Sequence, residues 1–249
     1  MKTIVQNLAV EYDDQGSGPV VLMLHGWKDS LRTFDALIPY LAKHRIVRLD
    51  LPGFGGSEMP RNTWNIAAYV DFVRSFVEKM NLQVDTIVGH SFGGRIAIRG
   101  VGSRILKPKR MVLIAAAGLA KRRTLRNQLL GAMAKIGRFV TMVPPFSLWR
   151  NQLRQALYES IGSDYFTAGA LKDTFVSVVA ENLSEFASKI TVPTLIVWGK
   201  NDTTTPLEQA IRIKELVHGS TLRVVDTAGH FVHREMSGEV AKSIEEFLV

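Results

Sequence analysis

The feature that most constrains the fold is a repeated alternation of short apolar runs with longer amphipathic segments. The apolar runs lie at residues 20–24, 46–49, 86–88, 111–115, 194–198 and 222–225. Runs this short and this continuously apolar are typical of strands that are buried on both faces, as in a parallel sheet. The strand–helix–strand repeat therefore predicts an α/β fold, with a mostly parallel central sheet flanked by helices.

Local signals place the elements near the ends of this repeat. Residues 3–14 are predicted to form an edge hairpin that turns at Gln6-Asn7. An amphipathic helix is predicted after Thr63, which is a suitable N-cap residue. The last helix is expected to begin at Ser237, with its apolar residues on one face.

The alternation breaks once, between residues 119 and 187, where helical periodicity dominates. The sequence thus predicts a core made of residues 1–118 and 188–249, with an all-helical cap at 119–187 inserted after the sixth strand. The large apolar side chains of the cap could line a substrate pocket or form the core of the cap; they are Phe139, Met142, Phe146, Trp149 and Phe166.

Composition excludes several classes of protein. Apolar residues make up 46% and charged residues 22% of the 249-residue chain, the balance of a globular protein. No apolar run approaches the 18 or more residues of a membrane span, and the N-terminus lacks the apolar region of a secretory signal. The absence of cysteine excludes disulfides, thiolate metal sites and a cysteine nucleophile. A soluble, cytoplasmic protein is expected.

One motif points directly to chemistry. Gly89-His90-Ser91-Phe92-Gly93 fits the pattern G-x-S-x-G, between a predicted strand and a predicted helix. A serine in such a tight turn is held in a strained conformation with its hydroxyl projecting from the sheet, and the flanking glycines let the backbones pass closely. The motif alone is a weak signal, but its strand–turn–helix context and a histidine near the C-terminus strengthen it.

Together with this motif, the chain resembles the α/β-hydrolases of the small, helical-cap type over almost its whole length. The resemblance lies in His25-Gly26-Trp27, in the turn from Asp50 to Ser57 (D-x-P-G-x-G-x-S), in Trp198 to Asp202, and in Ala228-Gly229-His230. These motifs occur in the order that the family shows.

The resemblance implies a role for each of these positions. Ser91 is expected to be the nucleophile, His230 its general base, and Asp202 the carboxylate that orients the imidazole. Some relatives place the acid after the sixth strand, but residues 115–118 contain no acidic side chain. The backbone N–H groups of Trp27 and Phe92 are expected to form the oxyanion hole.

The other histidines are interpreted as structural. His25 and His90 are expected to pack or to form hydrogen bonds, with His90 pointing away from the substrate. His44, His218 and His233 are expected to be surface or loop residues, because none has a partner at a metal-ligand spacing. No metal and no cofactor is predicted.

The net charge of +8 is concentrated in one stretch. Residues 86–158 contain 14 Lys or Arg and no acidic residue, and a basic cluster (Lys121, Arg122, Arg123 and Arg126) opens the predicted cap. The favoured interpretation is that the apolar face of this helix covers the active site while its charges are solvated. Attraction of an anionic substrate and weak contact with a membrane surface remain alternatives. Nucleic acid is not expected as a partner, because the chain has no recognition motif.

These expectations favour a serine hydrolase that cleaves a carboxylic ester, or a related acyl compound, through an acyl-enzyme. Two alternatives stay open. One is a carbon–carbon bond hydrolase of anionic ring-cleavage products, whose members typically have Asn before the serine and Trp after the histidine, where this chain has His90 and Phe231. The other is a small-molecule receptor on the same fold. The partner is expected to be a small molecule, anionic or amphiphilic among the options, and the sequence does not specify the oligomeric state.

Overall fold

The structure is a computed structural model that describes residues 1–119 and 169–248. The strands in these ranges are β1 (Lys2–Val5), β2 (Leu8–Gln15), β3 (Val20–Leu24), β4 (Arg45–Leu49), β5 (Val84–His90), β6 (Arg110–Ile114), β7 (Thr194–Gly199) and β8 (Thr221–Val225). The α-helices are α1 (Ile66–Lys79), α2 (Phe92–Gly102), α3 (Lys172–Ala180), α4 (Ser184–Ala187), α5 (Leu207–Leu216), α6 (Val232–Glu235) and α7 (Ser237–Leu248). Short 3-10 helices lie at Leu31–Phe34, Ile38–Tyr40 and Gly169–Leu171. No helix within these ranges is long and apolar enough to span a bilayer.

The eight strands form one sheet in the order β1-β2-β4-β3-β5-β6-β7-β8. Strands β1 and β2 pair antiparallel, and β2 is antiparallel to β4. All pairings from β4 across to β8 are parallel. The predicted α/β fold with a mostly parallel sheet is therefore confirmed.

Helices cover both faces of the sheet, which explains why its central strands are continuously apolar. In β3, Leu22 and Leu24 enter one core while Val21 and Met23 enter the other. Helices α1, α2, α4 and α5 contribute to the first core, and the turns between β3 and β4 together with α6 and α7 contribute to the second. Since successive strand residues point to opposite faces, every position of β3 is buried.

The predicted edge hairpin is confirmed as β1 and β2. Gln6 and Asn7 connect the strands with φ angles of 49° and 62°, and Val5 pairs with Leu8 across the turn. Two central residues with positive φ are the mark of a type I′ turn, whose twist matches that of the strands.

The predicted N-cap of α1 is wrong by two residues. The cap is Asn65, whose backbone is extended and whose side-chain oxygen accepts a hydrogen bond from Ala68 N. Thr63 lies before it, and the next residue, Trp64, donates its N–H to Thr174 Oγ1 at 3.1 Å. Asn ranks above Thr as an N-cap residue, so the local sequence also favours Asn65 over Thr63.

The predicted cap at 119–187 falls mostly on residues 120–168, outside the described ranges. Its last part, residues 169–187, is helical and contains α3 and α4; we call it the pre-β7 segment. Residues 181–183 are not helical and separate α3 from α4. The division into core and cap stays a prediction, as do the roles of the basic cluster and of the aromatic residues named above for the cap.

Candidate active site

Ser91 occupies a sharp turn between β5 and α2, where its backbone has φ 49° and ψ −105°. A positive φ is unfavourable for a residue with a side chain, so the surrounding structure must impose it. A Cβ atom at Gly93 would overlap the carbonyl oxygen of Leu24, and one at Gly89 would lie 2.6 Å from the carbonyl oxygen of Gly93. The glycine spacing of the motif therefore has a steric cause.

His230 lies in the loop after β8, within hydrogen-bonding distance of both expected partners. Its Nε2 atom is 3.1 Å from Ser91 Oγ, and its Nδ1 atom is 2.8 Å from Asp202 Oδ2. Ser91, Asp202 and His230 follow β5, β7 and β8, and the carboxyl ends of parallel strands lie at one edge of a sheet. The structure thus brings together the three side chains that the sequence selected, although 139 residues separate Ser91 from His230.

The Asp202 carboxylate is buried and held by three donors. The backbone N–H groups of Thr204 and Thr205 donate to Oδ1 at 2.9 and 2.8 Å, and the Thr205 hydroxyl donates to Oδ2 at 2.7 Å. Charge-assisted bonds of this kind fix the orientation of the carboxylate toward His230. Thr205 is not among the residues predicted from the sequence, although an Asp whose side chain bonds to the backbone two and three residues later is a common turn signal.

The two backbone N–H groups expected to form an oxyanion hole have no acceptor within the described residues. Neighbouring N–H groups in the turn at residues 89–93, which we call the elbow, are already paired: Ser91 N donates to Ile114 O and Gly93 N donates to His25 O, both at 3.0 Å. The aromatic rings of Trp27 and Phe92 pack edge-to-face, with centroids 5.3 Å apart. Both N–H groups are thus available to a ligand oxygen.

His25 has the structural role that the sequence predicts. Its Nδ1–H donates to Gly26 O at 2.7 Å, and its Nε2 accepts from Leu51 N at 2.9 Å. Burial lowers the pKa of this imidazole, so the neutral form is favoured. Asp50, next to Leu51, accepts from Leu31 N and Gly56 N, each at 2.7 Å, which ties the D-x-P-G-x-G-x-S turn to the loop after β3.

The expectation for His233 is wrong. This residue is fully buried on α6, its ring centroid is 4.3 Å from that of His90, and its Nε2 is 2.9 Å from Thr33 Oγ1. Helix α6 has only four residues, too few to show a periodic pattern in the sequence. His44 and His218 do lie in loops, as expected.

His90 is buried and forms a hydrogen bond, as expected. Its Nε2–H donates to the backbone carbonyl of His230 at 3.1 Å. It also borders the cavity that contains Ser91. The residue between the first glycine and the serine is therefore part of the wall of the site.

A cavity of about 370 Å³ opens beside Ser91 and His230. Its wall includes Gly26, Trp27 and Phe231, and its charged residues are Lys28, Asp29 and Arg234. A larger cavity of about 670 Å³ lies beside Val84, the first residue of β5, and Lys109, which precedes β6; this is the opposite end of these strands from Ser91. Of these two cavities, only the smaller one is lined by Ser91 and His230. Within the described residues, no cluster of three or more His, Asp or Glu could hold a metal.

Comparison with known proteins agrees with this geometry. The model of the alpha/beta hydrolase family matches residues 21–243, most of the chain. The chain belongs to the alpha/beta hydrolase family. The family supports hydrolytic chemistry without fixing which bond is cleaved.

Relatives of this alpha/beta hydrolase include enzymes of two kinds. A 2-hydroxy-6-oxononadienedioate/2-hydroxy-6-oxononatrienedioate hydrolase from Klebsiella pneumoniae is 25% identical, over 98% of this chain and 92% of that protein. Among solved structures, the esterase from Exiguobacterium antarcticum matches with a TM-score of 0.77 and 22% identity, covering 99% of both chains. The meta-cleavage product hydrolase from Pseudomonas fluorescens matches with a TM-score of 0.75 and 23% identity, covering 100% of this chain and 97% of that one. At these identities the structural matches speak for the fold alone.

Proposed function

We propose that this alpha/beta hydrolase is a serine hydrolase that cleaves a carboxylic ester, or a related acyl compound, through an acyl-enzyme. The observation that carries the proposal is the continuous contact from Ser91 Oγ to His230 Nε2 and from His230 Nδ1 to Asp202 Oδ2, at 3.1 and 2.8 Å. A serine hydroxyl is a weak nucleophile at neutral pH, and an adjacent base removes this limit.

The reaction would proceed in two stages. Ser91 Oγ attacks the carbonyl carbon and passes its proton to His230 Nε2, which then protonates the departing alcohol as the acyl-enzyme forms. Water then attacks the acyl-enzyme, with His230 again accepting the proton and returning it to Ser91. Asp202 fixes the imidazole tautomer and stabilises its cation.

The backbone N–H groups of Trp27 and Phe92 would stabilise the negative oxygen of each tetrahedral intermediate. Their lack of an acceptor in the described residues supports this role. The loss of one such donor in other enzymes raises the barrier by about 3–4 kcal/mol.

A second candidate is hydrolysis of a carbon–carbon bond in an anionic ring-cleavage product. The Klebsiella relative, whose name states such a substrate, supports it. His90 and Phe231 stand where such enzymes typically have Asn and Trp, which argues against it. We therefore place the ester reaction first.

The test is hydrolysis of p-nitrophenyl esters of increasing acyl length by the natural protein and by Ser91→Ala. Ser103→Ala is the matched control, because Ser103 lies at the far end of α2 and its hydroxyl donates to Gly100 O. We expect activity that peaks at one acyl length, survives in the control and falls by at least about 1,000-fold in Ser91→Ala.

Equal rates in the natural protein and Ser91→Ala would overturn the proposal. Faster turnover of a vinylogous diketone acid than of every ester would instead favour the carbon–carbon reaction.

A further inference from the structure

His90 connects the two loops that would hold the reacting groups. On one side, its Nε2 is 3.1 Å from the carbonyl oxygen of His230. On the other side, its Nδ1 faces Gly26, where an added Cβ would lie only 2.9 Å away. The side chain thus fills the space between the His230 loop and the loop of His25, Gly26 and Trp27.

The hydrogen-bond pattern fixes the tautomer of His90. A backbone carbonyl can only accept, so the proton must sit on Nε2 and the neutral ring has a bare nitrogen at Nδ1. That Nδ1 is buried and has no hydrogen-bond partner among the described residues. Burial, together with the neighbouring His233 and His230, lowers the pKa of His90 well below its usual value. The ring is therefore a neutral donor directed at one carbonyl.

His233 supports this ring from behind. Its ring centroid lies 4.3 Å from that of His90, and its Nε2 is anchored to Thr33 Oγ1 at 2.9 Å. The His230 ring lies on another side of His90, with centroids 5.0 Å apart. Enclosed in this way, His90 cannot swing away without opening a buried gap.

We infer that His90 is a positioning residue for the proposed reaction, which holds the backbone of His230 at a fixed distance from the loop of Trp27. The inference rests on the proposed function and concerns how its base is held. Without the Nε2–H donor, the His230 carbonyl loses its partner and the loop can relax. Since a displacement of about 1 Å can slow an enzymatic step by about 100-fold, a small movement of His230 from Ser91 is enough to matter.

Two substitutions separate the donor from the volume of the ring. His90→Gln keeps an N–H donor at about the distance of Nε2, whereas His90→Leu fills similar space without a donor. His218→Leu is the matched control, because His218 lies exposed in a turn. Each protein is assayed for kcat and KM on the best p-nitrophenyl ester, for Tm, and for the rate at which a fluorophosphonate labels Ser91.

We expect His90→Leu to lower kcat and the labelling rate by about 10- to 100-fold, with KM changed less than about threefold. His90→Gln should recover kcat to within about fivefold of the natural protein, and His218→Leu should match it. Equal losses in Gln and Leu variants, or a Leu variant with unchanged kcat, would overturn the inference.

The natural protein distinguishes this failure from failure of the proposed function. If it hydrolyses no ester yet Ser91 is labelled, the ester proposal fails and the labelling rates alone decide the role of His90. If Ser91 is not labelled in any protein, both proposals fall.

Discussion

The elbow at Ser91 and the pre-β7 segment both contact Trp27, but different forces hold them. The Phe92 ring at the elbow and the Phe175 ring of the segment lie 5.3 and 5.2 Å from the Trp27 ring. At the elbow, backbone bonds tie Ser91 directly to the sheet, with Ser91 N donating to Ile114 O and Ala117 N donating to Ser91 O. Helix α2 behind it is almost entirely buried.

Among the described residues, the pre-β7 segment has one such backbone bond, from Leu183 N to Gly118 O, and is otherwise attached by side chains. Its apolar residues enter the first core, and two arginine side chains of α2 bind its backbone and its charged and aromatic groups. Arg95 donates to the carbonyl oxygens of Val178 and Glu181, both at 2.6 Å. Arg99 pairs with the Glu181 carboxylate and lies 4.3 Å over the Phe186 ring. A region fixed to the sheet by backbone hydrogen bonds cannot move without disturbing the sheet. A region attached mainly by side chains can move with little effect on the sheet. We therefore expect substitutions at the elbow to lower the rate of ester hydrolysis, and substitutions in the pre-β7 segment mainly to lower the free energy of unfolding.

The largest expected effect is the loss of kcat in Asp202→Asn, which replaces the carboxylate that contacts His230. The amide disturbs the His230 tautomer, and the corresponding change in serine proteases lowers kcat by about 10,000-fold. Asp173→Asn, the same change at an exposed position of the pre-β7 segment, should leave kcat within about twofold. Steady-state ester hydrolysis measures both, and similar losses in the two variants would contradict the assignment.

Gly93→Ala tests the steric basis of the elbow. The new Cβ would overlap Leu24 O, so we expect activity to fall by at least about 100-fold and the free energy of unfolding by about 3 kcal/mol. Gly169→Ala is the control in the pre-β7 segment, where φ is 54° but nothing lies within 4 Å of the added atom. It should cost only about 1–2 kcal/mol of backbone strain. Urea unfolding and ester hydrolysis compare the two, and equal costs would remove the distinction.

Arg95→Met tests the attachment itself. The buried carbonyl of Val178 and the part-buried carbonyl of Glu181 lose their donor, so we expect the free energy of unfolding to fall by about 2–3 kcal/mol. Arg74→Met removes an arginine whose ion pairs with Asp71 and Glu78 are exposed, and it should cost less than about 0.5 kcal/mol. In Arg95→Met, kcat should fall less than about tenfold, because the hydrogen bonds that hold Ser91 and His230 are unchanged. A fall in kcat of more than about tenfold would show that the segment also positions Ser91 and His230.

Lowering the pH should reduce the free energy of unfolding, because His233 is buried beside His90 of the elbow. Burial, reinforced by the charges of Arg234 and His230, lowers the pKa of His233 to about 3. Below about pH 6.5, His233 binds a proton in the unfolded chain but stays neutral in the folded chain. The free energy of unfolding therefore falls as the pH drops from about 6.5 toward 3. We expect His233→Gln to flatten this slope by up to about 1.4 kcal/mol per pH unit. His218→Gln, at an exposed position, should not change the slope, and unchanged slopes in both variants would contradict the burial argument.

The smallest effect concerns the two rings on Trp27. Phe175→Leu removes a half-buried ring contact and should cost about 0.5–1 kcal/mol, with KM raised by about two- to threefold. Phe92→Leu, at a buried position, should cost about 1–2 kcal/mol because the vacated space cannot be filled by solvent. Thermal unfolding compares them, and the reverse order would mean that the segment holds Trp27 more firmly than the elbow does.

Sequence reasoning succeeded where local patterns decide the structure. The bounds of β3, the turn at Gln6-Asn7 and the start of α7 at Ser237 were all predicted, because alternation and turn chemistry act over a few residues. The motif order also selected the three side chains that meet at the cavity. Their catalytic roles remain predictions.

Sequence reasoning failed where contacts between distant segments decide. Trp64 N donates to Thr174 Oγ1 across 110 positions, a contact that no local pattern shows. His233 is buried because it packs against His90 and Thr33, and no pattern within four residues of α6 could show this. The Thr205 hydroxyl lies 3.1 Å from Ala115 O and 3.2 Å from His230 Nδ1, and only the fold brings these distant residues together.

The left-handed backbone at Ser91 has a consequence for how such a chain can be improved. Glycine would adopt φ 49° without strain. A selection for melting temperature alone would therefore favour Ser91→Gly, which removes the hydroxyl that contacts His230. Stability screens of this protein therefore need a parallel measure of turnover. Under the proposed function, glycine at this position would favour stability, whereas turnover would require serine.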